Sequence, residues 1–297
     1  MTTTISSSKR RNRFQRNPVK SIQLRDRDYA ILTALYEYGM LTTSQVASLF
    51  FGTHKRACVR LRQLFDSGMV HRIFRPVVMG SSEIVYALGR EGVYRLAKHL
   101  GIDRKVMNES RLRFEDPKPL FLDHYLEINQ FRVALSVAAG SAGYIVKDWK
   151  YETDLKIKSP GELPKAVRVK DPEKVGRTIP VVPDGFFTIE TPESNAHHFF
   201  LEVDRGTMEP ARFRRKMLGY ARYRIDRIYR GHLDISGFRV LTITNRVSSL
   251  LDTTAQVRPQ QFQPMYCFAD IEDITPEKLF SGIWRVPNNE ESIFLFS

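Results

Sequence analysis

Gly39, Gly52 and Gly68 cut the stretch from Asp26 to Gly68 into three short segments of helical period, and no other feature constrains the chain as much. Asp26 is placed to cap the first helix, whose buried stripe is Ile31, Leu32, Leu35 and Tyr36. Thr42-Thr43-Ser44-Gln45 has the spacing of a capping box ahead of a second helix bearing Val46 and Leu49. The third, roughly His54 to Asp66, buries Cys58, Leu61, Leu64 and Phe65, which turns Lys55, Arg56, Arg60 and Arg62 outward or to its flanks. Val70 to Phe74 and Ile84 to Leu88 then read as two strands joined across Pro76 to Ser82, and Arg90 to Leu100 as a closing helix.

Helix, helix, turn, basic helix, hairpin and helix is the order of a winged helix-turn-helix, here over residues 21–100. A helix fits the major groove, its Lys and Arg reach phosphates and guanine edges, and a hairpin wing carrying Arg72 rests on the neighbouring backbone. A winged helix used only for protein contacts is the alternative. Charge weighs against it: Lys and Arg number 46 against 33 Asp and Glu, a net +13, and residues 1–100 hold 17 of the basic residues but 6 of the acidic ones. Residues 1–20 carry six Lys or Arg and no acid, so they read as a flexible basic arm along phosphates or as a solvated tail.

No segment approaches 18 uninterrupted apolar residues, and the N-terminus lacks the apolar run of a signal peptide. Cys58 and Cys267 are the only cysteines, far apart and in apolar patterns. A soluble cytoplasmic protein without a disulfide framework is the expectation, with no membrane partner.

Residues 101–121 lose periodicity around Asp116-Pro117-Lys118-Pro119 and read as a linker, leaving 122–297 as a second domain. The pattern there is a helix from Asp123 to Ala139 and a strand from Gly143 to Tyr151. Lys158 to Thr178 reads as an exposed, mobile insertion rich in Pro, Gly and Lys. Strands follow at Ile179–Ile189 and His198–Asp204, then a long helix from Glu209 to Tyr229 and a strand from Gly237 to Thr244. A helix capped by Asn245 and a strand at Pro264–Ala269 close the chain. The whole is α+β, with a mixed sheet and helices on its faces in the second domain.

The chain has no GxxxxGK[ST] loop, HExxH helix, GxSxG elbow or CxxC pair, and His197-His198 lacks the spacing that puts two imidazoles on one strand face. What carries chemistry is Pro183-Asp184-Gly185 on one strand and Leu201-Glu202-Val203-Asp204-Arg205 on the next. Alternation puts Glu202 and Asp204 on one face, where Asp184 can join them from an antiparallel neighbour. Three converging carboxylates repel unless a cation sits between them, so Asp184, Glu202 and Asp204 are the candidate ligands of Mg²⁺ or Mn²⁺. Arg212, Lys216 and Tyr220 recur every four residues on the following helix and offer one edge of it to phosphate. Tyr220 also belongs to an inward stripe with Phe213 and Met217, which favours packing over a nucleophile's role. His124, Glu127 and Glu152 are candidate extensions of the site, and Trp149 and Trp284 read as core.

The element order with a Pro-Asp followed by an acidic motif resembles the PD-(D/E)XK restriction-endonuclease-like fold. With the N-terminal winged helix, the run Pro183-Asp184-Gly185, Leu201 to Thr207 and Lys216 to Tyr220 resembles the replication-relaxation family of plasmids and mobile elements. The resemblance implies a DNA-processing role in plasmid replication or mobilisation, with double-stranded DNA, a second copy of the chain and replication or transfer proteins as expected partners. It implies Asp184, Glu202 and Asp204 as catalytic acids, Lys216 as charge stabiliser, and Lys55, Arg56, Arg60, Arg62, Arg72, Arg212 and Tyr220 as DNA contacts. One departure stands out: the motif lysine two residues after the second acid is replaced by Asp204, and Lys216 on the helix is the candidate substitute. Metal-dependent nicking is one reading. The other is a non-catalytic initiator or regulator that uses a degenerate nuclease fold for dimerisation or partner binding.

Overall fold

The computed structural model describes residues 15–17, 22–75, 82–107, 119–157 and 163–296, and the chain divides into two compact units, Met1–Asn129 and Gln130–Ser297. In the first unit the elements run α1 (Asp26–Tyr38), β1 (Met40–Thr42), α2 (Thr43–Phe50), α3 (His54–Asp66), β2 (Val70–Ile73), β3 (Val85–Leu88) and α4 (Arg90–Leu100). The three strands form an antiparallel sheet in the order β1-β3-β2. Ile31, Leu32, Leu35, Leu61, Leu64, Val93 and Leu96 make its core.

The expected capping box is present: Thr42 N–H donates to Gln45 Oε1 at 2.9 Å and Gln45 N–H to Thr42 Oγ1 at 3.2 Å. At α1 the cap is Arg25 in place of Asp26, because the Asp28 carboxylate reaches back to accept from Arg25 N–H at 2.8 Å. Gly39 ends α1 with φ of 70°, a conformation that favours glycine. Gly89 and Gly92 answer a different need, since a Cβ at either would strike the Gly68 or Met69 carbonyl where α4 crosses the turn after α3. Strand β1 was not expected; at three residues it is too short for a period-2 signal.

A long helix, α5 (Pro119–Ala142), carries the division between the units. Its first part completes the first unit. Leu122 and Leu126 pack on Met40 and Val85, Tyr125 OH donates to Tyr38 O at 2.6 Å, and Asn129 Nδ2 donates to Met40 O at 2.6 Å. Residues 15–17, at the end of the expected arm, lie along α3, with Asn17 N–H donating to Asp66 and Arg62 to Gln15 O, each at 3.0 Å. The rest of the expected arm at 1–14 and 18–20, residues 76–81 of the expected hairpin loop and most of the expected linker, 108–118, fall outside the described residues.

The second unit holds β4 (Ile145–Tyr151), β5 (Val167–Lys170), β6 (Thr178–Val181), β7 (Gly185–Glu190), β8 (Ala196–Asp204), α6 (Pro210–Ile225), α7 (Ile228–Leu233), β9 (Arg239–Thr244), α8 (Val247–Ala255) and β10 (Tyr266–Asp270). Five strands form a mixed sheet in the order β10-β9-β8-β7-β4, in which β8, β9 and β10 are parallel and β7 and β4 antiparallel. On one face Phe186, Phe200, Val240 and Phe268 meet Phe213, Met217 and Tyr220 of α6. On the other, Phe187 stacks between Trp149 and Phe199 and meets Phe131 of α5. Trp284 is fully buried.

Four expectations are corrected here. Ile179–Ile189 is not one strand, because Pro183 has no N–H for the ladder and the chain leaves β6 for β7 across it. The helix expected over 209–229 breaks at Arg227, whose φ is 54°, and Arg246 rather than Asn245 precedes α8. Lys158–Thr178 is exposed over 163–165 and 172–178 as expected, but it is anchored through a hairpin that the composition did not show. Residues 167–170 pair with 178–181, outside the main sheet as expected, but Val167, Val169, Ile179 and Val181 alternate inward and are buried in the core beneath α6. Alternation supplies an apolar face that mean composition hides. Ile179 Cγ2 lies 3.0 Å from where a Cβ would stand on Gly219 of α6, so the helix has a glycine where the hairpin approaches closely.

Two outcomes follow from that packing. Ile179→Ala, truncating a side chain that is 2% exposed, should lower unfolding free energy by about 2 to 5 kcal/mol in urea melts. Native limited proteolysis should spare the paired strands 167–170 and 178–181; cutting within them, with no loss of stability in Ile179→Ala, would restore the mobile insertion.

Candidate functional site

Register brings the acidic motif together in a specific way. Gly185 faces Leu201 in the β7–β8 ladder, so Asp184 enters just before it, opposite Glu202. Asp184 N–H donates to Leu201 O at 3.0 Å and its Oδ2 accepts from Val203 N–H at 2.7 Å, which fixes the carboxylate at the strand end. Glu202 is 3% exposed and points under α6, where Lys216 Nζ and Tyr220 OH both donate to it, the latter at 2.5 Å. The four-residue spacing of Lys216 and Tyr220 is what lets one helix edge supply both donors.

Asp204 shares that strand face but has other partners. Arg246 donates to it through Nε at 2.7 Å and Nη2 at 3.0 Å, and Thr244, its register partner on β9, donates at 2.9 Å. The expected convergence of Asp184, Glu202 and Asp204 is therefore corrected. Two acids lie at the Lys216 end, the third is held by Arg246, and no group of three or more His, Cys, Asp or Glu among the described residues is placed to hold a metal.

Electrostatics follow the burial. Burial drives the Glu202 carboxyl up to about 7, and the Asp184 charge adds to this against the opposing pull of Lys216 and Tyr220. Burial alone would lower Lys216, but Glu202 and Asp184 outweigh it and raise the ammonium above its ordinary value. Tyr220, fully buried beside Glu202, is held well above the usual phenol range and stays a hydrogen-bond donor. For Asp204, burial pushes upward, yet Arg246 and Thr244 bring it below the ordinary carboxylate range.

The row Arg212, Lys216, Tyr220 is thus no continuous phosphate-binding edge. Arg212 is exposed, Lys216 half-buried and Tyr220 inaccessible, so Tyr220 as a DNA contact is corrected by its burial. Glu152 pairs with Lys156 at 2.8 Å and lies near enough to help raise Lys216. His124 and Glu127 belong to the first unit.

In the first unit α3 buries Ala57, Leu61, Leu64 and Phe65 and leaves Lys55 and Arg56 exposed. Arg60 does not face outward freely: it donates to both oxygens of Asp28, which is 2% exposed. Arg62 is paired with Asp66 at 2.9 Å, and the Arg72 guanidinium lies 4.5 Å over the Phe65 ring. Asp28, Thr244 and Arg246 were missed in the sequence. Asp28 had a signal, an acid at the third helical position where capping boxes place one. Arg246 had none, lying 42 residues from its partner.

A family model for replication-relaxation proteins matches residues 32–234. The chain belongs to the replication-relaxation family. No curated protein and no solved structure matches it. The replication-relaxation match takes in α3, Asp184, Glu202, Asp204 and Lys216, while Arg246, which holds Asp204, lies beyond it.

Two measurements test the site. Since Glu202 has its pKa raised from an ordinary 4.5 to about 7 on folding, its contribution to stability is fullest below pH 4.5 and is lost as pH rises to about 7. Glu202→Gln should flatten that fall, worth up to about 3 kcal/mol, in unfolding curves taken across the range. Asp204→Ala removes the charged hydrogen bonds from Arg246 and Thr244 and should destabilise by about 1 to 3 kcal/mol; a stabilised variant would mean that Asp204 is repelled by its neighbours.

Proposed function

We propose that the protein is a DNA-binding protein of plasmid or mobile-element replication or mobilisation, that its first unit is a winged helix docking α3 on duplex DNA, and that its second is a PD-(D/E)XK-like domain that nicks or cleaves DNA with Mg²⁺ or Mn²⁺. The observation that carries the catalytic part is the contact between Lys216 and Glu202. Although Asp204 occupies the strand position of the motif lysine, α6 returns an ammonium to the carboxylate pair from the other side.

Asp184 and Glu202, opposite one another on neighbouring strands, suit a divalent ion as a pair of oxygen donors, whereas Asp204 is held by Arg246 and Thr244 and does not join them. Thr242, the register partner of Glu202, keeps a buried hydroxyl with no hydrogen-bond partner, a group that water on such an ion would satisfy. When bound, the ion would supply a Lewis acid and an activated water. Lys216, held charged, would stabilise the negative charge that builds on the scissile phosphate. Val203 N–H holds Asp184 at the strand end, and Tyr220 holds Glu202.

One observation favours a second reading. The Glu202 side chain is 4% exposed and closed off by its two donors, which suits a non-catalytic initiator or regulator whose second unit serves dimerisation or partner binding.

A Mg²⁺-dependent nicking assay on supercoiled plasmid separates the readings. Asp184→Ala and Lys216→Met should abolish nicking while DNA binding persists, with affinity falling steeply with salt as counterion release requires. A wild-type chain that binds DNA and never nicks it, with no heat of Mn²⁺ binding in calorimetry, would leave the regulator.

A further inference from the structure

At about 100° per residue, the buried side of α3 puts Val59 diametrically opposite the core. Val59 is 57% exposed, and Lys55, Arg56 and Gln63 are exposed around it. A single exposed valine is ordinary on a protein surface. This one occupies the crest of the outermost helix line among basic and amide side chains, where a polar residue would be the better solvated choice.

Gln63 is not free to turn. Its Oε1 accepts from Arg60 Nη1 at 2.6 Å, and Arg60 is itself held by Asp28, through Nε at 2.7 Å and Nη2 at 2.5 Å, and by Gln23 O at 3.0 Å. A guanidinium only donates, so Gln63 must give Arg60 its oxygen and present its NH₂ elsewhere. A glutamine reading adenine bidentately aims NH₂ and oxygen together at N7 and N6; with its oxygen turned to Arg60 and one lone pair used, Gln63 presents chiefly its NH₂, a donor for a purine N7, guanine O6 or thymine O4, and loses the bidentate preference for adenine.

On the DNA-binding reading above, we infer that Val59 and Gln63 are the base-reading side chains of α3, Val59 against a thymine methyl and Gln63 as a hydrogen-bond donor, with Asp28 and Arg60 as positioning residues. Lys55 and Arg56 contribute charge on either side. The arginines that dominate the helix by number are then not what gives it sequence preference.

The test selects duplexes from a randomised library with the full chain, then remakes the selected site with each thymine replaced in turn by deoxyuridine, which lacks only the C5 methyl. One replacement should weaken wild-type binding about fourfold, the worth of one apolar carbon, and should not further weaken Val59→Ala. Gln63→Ala should lose about tenfold preference at one guanine or thymine position. Arg60→Ala, which frees the amide oxygen, should shift that position toward adenine, a change that mere loss of fold stability would not produce. Both Val59 and Gln63 are exposed, so their variants report on DNA rather than on folding. If Val59→Ala and Gln63→Ala select the wild-type site with wild-type affinity, the inference is overturned. A wild type that binds duplexes without enriching any sequence overturns base reading and leaves DNA binding standing, whereas one that binds no duplex at low salt removes both.

Discussion

Placing a carboxylate out of water is the constraint on which most of this structure turns. Among the described residues the buried acids are Asp28, Asp171, Glu202 and Asp204, and each has one cation brought to it: Arg60, Arg215, Lys216 and Arg246. Desolvating two charges offsets most of their attraction, so such pairs add little net stability, but an unpaired member is expensive. Each pair therefore restricts which helix can sit where. Arg60 ties α3 to the start of α1, Arg215 ties α6 to the β5–β6 hairpin, and Lys216 ties the next residue of the same helix to the sheet.

The same accounting changes what a net charge of +13 means. Arg60, Arg62, Arg75 and Arg95 of the first unit all have carboxylate partners, so a count of basic residues overstates the charge free to meet phosphate. Lys55 and Arg56 are exposed at the start of α3. Where the charge stands matters more than how much there is.

Local signals in the sequence were dependable and distant ones were not. The helix boundaries near Gly39, Gly52 and Gly68, the Thr42–Gln45 box, the β2–β3 pair and the second unit's strands at 145–151, 196–204, 239–244 and 266–270 follow from short-range pattern, and the structure has them. Alternation correctly put Glu202 and Asp204 on one face. It cannot tell what comes down onto that face, and helices arriving 14 and 42 residues later gave the two acids different cations. The β5–β6 hairpin failed for a related reason. Its four inward residues lie among lysines, prolines and glycines, so the composition of the stretch concealed an apolar face that becomes evident only when the strands pair.

Glu202 is where the structural demand of burial meets the catalytic role proposed above. A carboxyl buried to a pKa of about 7 is divided between its two charge states near neutrality. With Tyr220 locked as a donor and Lys216 kept charged, the ionised form has two partners ready, so it can exist in the closed cluster. For catalysis an ion would have to compete with Lys216 for the same oxygens, and Asp184, half-buried at the strand end, is the carboxylate it would meet first. The ammonium that makes Glu202 tolerable in the core is thus also the charge that a divalent ion must displace or share. On the nuclease reading proposed above, the affinity for a divalent ion would be set as much by the α6 lysine as by the two acids.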